Sequence, residues 1–75
     1  MNFKKIREAM TEEALSLEYA LRSIEAAEIG DLARATKLSE IQAAWILEQM
    51  SCTEIVKCDC QGKYSLTALY KSNLN

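Results

Sequence analysis

The chain has 75 residues, with nine basic against eleven acidic side chains, a net charge of −2, no histidine and no proline. That is enough for one small domain with a thin core. The missing histidine removes Ser-His-Asp, Cys-His and His-ligated zinc chemistry, and two isolated glycines make no phosphate loop, so an enzyme is not expected.

An apolar content of 49% without proline predicts one ordered, mostly helical domain over residues 1–75. No apolar run reaches membrane-spanning length, and the opening MNFKKIREAM lacks a signal-peptide core. Three cysteines, an odd count, fit a reducing compartment. The expectation is a cytoplasmic protein without a membrane partner.

In chain order, Phe3, Ile6, Met10, Leu17, Leu21 and Ile24 recur at helical spacing. Thr11, with Glu12 and Glu13 behind it, has the form of an N-cap and an acidic first turn. The pattern is one long helix or two helices meeting near Thr11; it predicts a helix over residues 11–26, with residues 1–10 as its continuation or as a separate arm. Leu15 and Tyr19 lie off the main stripe and widen the apolar arc, which either the core or a second subunit covers. After a short link at Ala27-Glu28, Ile29, Leu32 and Ala33 mark a second helix over residues 29–36.

The turn Thr36-Lys37-Leu38 leads to Ser39, placed as an N-cap, with Gln42 three residues on in capping-box spacing. A third helix over residues 39–52 follows, with Ala43, Ile46, Leu47 and Met50 inward. At about 100° per residue, Ile41, Trp45, Glu48 and Cys52 then face outward. Two short runs, 55–58 and 63–66, flank a turn at 59–62 and read as a hairpin. Residues 67–75 form a tail with one helical turn through Leu69 and Tyr70.

This order is a helix-turn-helix followed by a hairpin. Carried by Ile29, Leu32-Ala33, Ala35-Thr36, Leu38-Ser39, Ile46-Leu47, Met50, Ile55-Val56 and Gly62-Lys63-Tyr64-Ser65-Leu66, the sequence resembles the winged helix-turn-helix domains of small bacterial and archaeal transcriptional regulators. The resemblance implies a mostly α fold with a small β-hairpin, namely a three-helix core and a two-stranded wing. It also implies a DNA partner, with the third helix in the major groove, and a homodimer. Many relatives end the third helix with a glycine, where this chain has Ser51-Cys52-Thr53-Glu54.

The residues expected to meet DNA are Arg34, Lys37, Ser39, Glu40 and Gln42, with Lys57 and Lys63 on the wing and Lys4, Lys5 and Arg7 in the arm. Gln42 has the chemistry to read adenine. Against this, no Lys or Arg lies between Lys37 and Lys57, and phosphate contacts supply much of DNA affinity. Ile41 and Trp45 suit a protein partner instead, as do Phe3, Ile6 and Met10 on the N-terminal helix. Three readings result: a dimeric DNA-binding regulator, an interaction module that uses the third helix without touching DNA, or a metal- or redox-responsive wing. No cofactor is expected. Cys52, Cys58 and Cys60 read as small apolar fillers with free thiols, the alternative being a thiolate site with Asp59. Cysteine-rich wings occur in the small winged-helix proteins that accompany ferrous-iron transporters, and the likeness to them is faint.

Overall fold

A computed structural model describes residues 3–73. The elements are α1 (Phe3–Ala9), α2 (Glu12–Ser23), α3 (Ile29–Thr36), α4 (Glu40–Cys52), β1 (Val56–Cys58), β2 (Tyr64–Leu66) and α5 (Ala68–Ser72). The outermost two residues at each end of the expected arm and tail lie outside the described residues.

Thr11 divides the N-terminal pattern. Its backbone is extended (φ −71°, ψ 165°), and its side-chain oxygen accepts from the Ala14 N–H at 3.2 Å. Residues 3–9 therefore carry a helix of their own, which meets α2 at Thr11 as the two-helix reading of the pattern has it. α2 stops at Ser23, short of residue 26, and Ile24 is extended and exposed rather than part of the inward stripe. The chain leaves the helix there to reach Ala27, which exchanges both backbone hydrogen bonds with Tyr64, at 3.0 and 2.7 Å. The link before α3 thus adds a one-residue third strand to the wing and pins it to the helices.

α3 and α4 end in the same way. The Leu38 N–H reaches the Ala33 carbonyl at 2.9 Å and the Lys37 N–H reaches that of Arg34 at 3.4 Å, with Lys37 left-handed at φ 60°. At the end of α4, the Ile55 N–H reaches Met50 at 2.9 Å and the Glu54 N–H reaches Ser51 at 3.1 Å, with Glu54 at φ 64°. Both are Schellman closures, each using a non-glycine residue in the left-handed region. Glu54 fills the role that the relatives' glycine suggested. Glu54→Gly is expected to stabilise the fold by roughly 0.5 kcal/mol, the relief of left-handed strain less glycine's extra chain entropy. Urea-denaturation midpoints measure this directly.

β1 and β2 are antiparallel, pairing Val56 with Leu66, Lys57 with Ser65 and Cys58 with Tyr64. Thr67 locks the base of this wing. Its N–H donates to the Ile55 carbonyl at 3.0 Å and its hydroxyl to the Glu54 carbonyl at 2.6 Å, while its oxygen caps α5 by accepting from the Tyr70 N–H at 3.1 Å. The expected tail therefore contains a docked helix.

One core cluster joins Leu17 and Leu21 of α2, Leu32 and Ala33 of α3, Ala43, Leu47 and Met50 of α4, and Ile55, Val56 and Leu66 of the wing. Phe3 and Tyr70, from opposite ends of the chain, meet edge-to-face at 5.2 Å and belong to the same cluster. Phe3, expected at a partner interface, is thus a core residue of its own chain. Ile6 and Met10 are half-buried against the same core.

Beside it lies a buried charge. Glu18 is only 2% exposed and accepts from Arg22, through Nε and through Nη2 at 3.2 Å. Arg7 Nε stands 3.5 Å from Oε2 of the same carboxylate, the oxygen that also accepts from Arg22 Nη2. The bond from Arg22 to Glu18 raises the guanidinium pKa. Burial first, and the charge of Glu18 second, push the Tyr70 phenol above its ordinary value. Arg7, expected on a DNA-facing arm, is instead committed to this internal cluster.

Candidate nucleic-acid interface

The helix-turn-helix is α3, the left-handed turn at Lys37 and α4. At its centre the capping box is complete. The Gln42 N–H donates to Ser39 Oγ at 3.1 Å, and the Ser39 N–H donates to Gln42 Oε1 at 3.2 Å. The Ser39 hydroxyl also lies 3.2 Å from that amide oxygen. Bidentate adenine readout needs both the amide oxygen and the amide nitrogen of Gln42. Gln42 therefore reads a base only by giving up a cap contact, at a cost of about 1 kcal/mol.

The phase expected of α4 holds: Ala43, Leu47 and Met50 are buried and Ile46 is half-buried. Ile41 is 84% exposed and Trp45 63% exposed, with Glu48 and Cys52 also outward. Glu40 stands at the start of α4 near α3, where its Oε1 lies 3.7 Å from the position of a Cβ on Gly30. Arg34 lies 3.9 Å from the same position and is paired with Asp31. Lys37 stands exposed on the turn.

The wing presents Lys57 on β1 and Lys63 after its turn, both exposed. Asp59 shapes that turn: its Oδ1 accepts from the Gln61 N–H at 2.9 Å and the Lys63 N–H at 3.0 Å, while Gly62 takes φ 81°. The bond from Lys63, then that from Gln61, holds the Asp59 pKa below the usual carboxylate value. A depressed folded pKa means that this ordering is complete above the ordinary carboxylate range and is lost as pH falls through the lowered value. Amide exchange at Gln61 and Lys63 is expected to quicken, relative to other amides, on acidification in the native protein and not in Asp59→Asn.

Cys52, Cys58 and Cys60 are all exposed free thiols, so none is the core filler that the sequence suggested. Among the described residues, no three His, Cys, Asp or Glu side chains converge as metal ligands. Tyr64 closes the inner side of the wing; burial chiefly raises its pKa, with Cys58 and Glu48 adding to the effect. No helix among the described residues is long and apolar enough to cross a membrane.

The structure brings Lys37, Ser39, Glu40 and Gln42 together around the start of α4, with Arg34 at their edge, and sets Lys57 and Lys63 apart on the wing. Sequence reasoning missed the Ala27–Tyr64 bridge, for which a lone alanine gives no signal. It also missed Glu18, although Glu18 and Arg22 are four residues apart on one helix, a spacing that announces a pair.

No family model matches the chain, and no curated protein matches it significantly. Solved structures do. One is BpsR of Bordetella bronchiseptica, described for the regulation of its DNA binding by 6-hydroxynicotinic acid. It is 18% identical, with a TM-score of 0.77 over 88% of this chain and 50% of that one. Two are MarR-family transcriptional regulators from Silicibacter pomeroyi. One is 19% identical, with a TM-score of 0.78 over 93% of this chain and 54% of that one; the other is 18% identical, with a TM-score of 0.78 over 97% and 53%. The chain spans about half the length of these structures. At such identities the likeness is one of fold: this chain has the winged helix-turn-helix fold seen in these transcriptional regulators.

Proposed function

We propose that the protein is a winged-helix transcriptional regulator of the cytoplasm, not an enzyme, that binds DNA as a homodimer, mainly through phosphates. The observation that carries this reading is the helix-turn-helix itself, with Lys37 exposed on its turn and Lys57 and Lys63 on the adjoining wing. Arg34 joins them if it trades Asp31 for a phosphate. Ser39, Glu40 and Gln42 lie at the N-terminal end of α4, where a recognition helix meets bases, but the cap occupies the first and last of them. Binding is therefore expected to be weak and nearly indifferent to sequence. The dimer reading rests on the uncovered side of α2, where Tyr19, Leu15 and Ile24 border a surface groove.

Fluorescence anisotropy with a mixed duplex pool tests it. Three or four phosphate contacts predict a log–log salt slope of about −3. Absence of binding at low salt and high protein concentration would sink the reading. Light scattering on the same samples reports whether the protein is a dimer.

A second reading is favoured by the exposure of Ile41 and Trp45, which is unusual for a DNA-reading helix. In it, α4 docks a protein partner and DNA is not bound directly. It predicts that Trp45→Ala abolishes association with that partner while leaving the fold intact.

A further inference from the structure

We infer that the outer face of α4 is a docking site for a cationic amphipathic helix, with Ile41 and Trp45 as the apolar anchors. The inference rests on the second reading above and names the chemistry of its partner.

Trp45 stands as a ridge between two surface hollows. One, of about 470 Å³, is bordered by Ile41, Gln42, Ala44 and Glu48; the other, of about 250 Å³, by Thr11, Glu13, Gln42 and Ile46. A third, of about 230 Å³, continues past Trp45 toward Met10 and Ile6. No Lys or Arg borders any of the three, and the charged groups that do are Glu13 and Glu48. Glu13, Glu40 and Glu48 form no ion pair among the described residues, and the nearby guanidinium of Arg34 is taken by Asp31. An apolar centre with an acidic border is complementary to apolar anchors flanked by Lys or Arg.

The same border argues against two other occupants. DNA phosphates would meet Glu13 and Glu48 with no cation between. A second copy packed face to face through α4 would set like charges against each other, because residues 38–56 contain no basic side chain to answer them. The occupant is a helix because Ile41 and Trp45 lie one turn apart, about 6 Å along the axis, matching anchors at i and i+4. A helix also satisfies its own backbone, and the side of α4 offers no strand edge to pair with.

Trp45 is the only tryptophan, so its emission reports on this face directly. The probe is a synthetic amphipathic peptide with leucines on one helical face and lysines elsewhere. The control replaces each lysine with glutamate. The lysine peptide is expected to shift the emission to the blue, saturably, and to bind at least about tenfold more weakly to Glu48→Lys and to Ile41→Ser. Circular dichroism checks that both variants are folded. Saturable binding of the glutamate peptide with equal strength would overturn the cationic partner while leaving protein docking standing. Failure of both peptides, at concentrations where anisotropy still detects DNA binding, would overturn the docking site and leave the DNA reading intact. An emission shift produced by duplex DNA, or by raising the protein concentration alone, would assign the face to nucleic acid or to a second copy and would likewise overturn the inference.

Discussion

Leu47→Ala is expected to remove about 3 kcal/mol of stability, whereas Trp45→Ala, two residues away on the same helix, is expected to change it by less than about 1 kcal/mol. Leu47 is fully buried in the cluster that joins α2, α3 and the wing. Its truncation loses transfer energy and leaves a cavity that a rigid three-helix packing does not fill. A chain of this size has about 4–11 kcal/mol in total, so the loss is a large fraction of it. Trp45 is the larger side chain but is mostly in water, where truncation removes little burial. Urea denaturation followed by circular dichroism compares the two variants without relying on tryptophan emission. Equal losses would mean that Trp45 is held by the core and is not free to meet a partner.

Glu18→Ala is expected to cost about 2 kcal/mol. Removing one member of a buried ion pair commonly costs more, because the remaining charge stays buried and unpaired. Here Arg7 and Arg22 are 40% and 36% exposed, so each can swing its guanidinium into water once the carboxylate is gone. What is lost is the junction itself, since Glu18 ties α1 to α2 beside the buried Tyr70. Glu18→Gln keeps the shape and part of the hydrogen bonding, and about half the loss is expected. A double-mutant cycle with Arg22→Ala separates the pair from its surroundings. If Glu18→Ala is neutral, α1 is held by Phe3 and Ile6 alone.

The helix-turn-helix was legible because its signals are local. Ser39 and Gln42 announce a cap at their own spacing, the apolar residues of α3 and α4 repeat at helical period, and Gly62 marks the wing turn. The outward placement of Ile41 and Trp45 followed from the same period. The N-terminal pattern was read less well. Its period points Phe3 to a partner interface, and wrongly, because periodicity states that a face is apolar and not what covers it. The covering group is Tyr70, sixty-seven positions along the chain. The cysteines looked like fillers from their residue type, but the wing is too short to have an inside at Cys58 and Cys60.

Gln42 illustrates how local and functional readings compete. Both the N–H and the hydroxyl of Ser39 lie 3.2 Å from the Gln42 amide oxygen, so a base uses that oxygen only in place of one of these cap contacts. The border of Trp45 was also not readable, because Glu13 comes from α2 and lies far from it in sequence.

By itself, then, the sequence determined the helices of the helix-turn-helix, the face that α4 turns outward and the absence of histidine chemistry. Each of these depends on residue type and on spacing within a few turns. Only the tertiary structure decided that Phe3 closes on Tyr70, that Arg7 and Arg22 share Glu18, that Ala27 extends the wing, and that the surroundings of Trp45 are acidic. These depend on which distant surfaces the chain brings together, and that choice is made by packing and by satisfying buried polar groups, which no local pattern encodes.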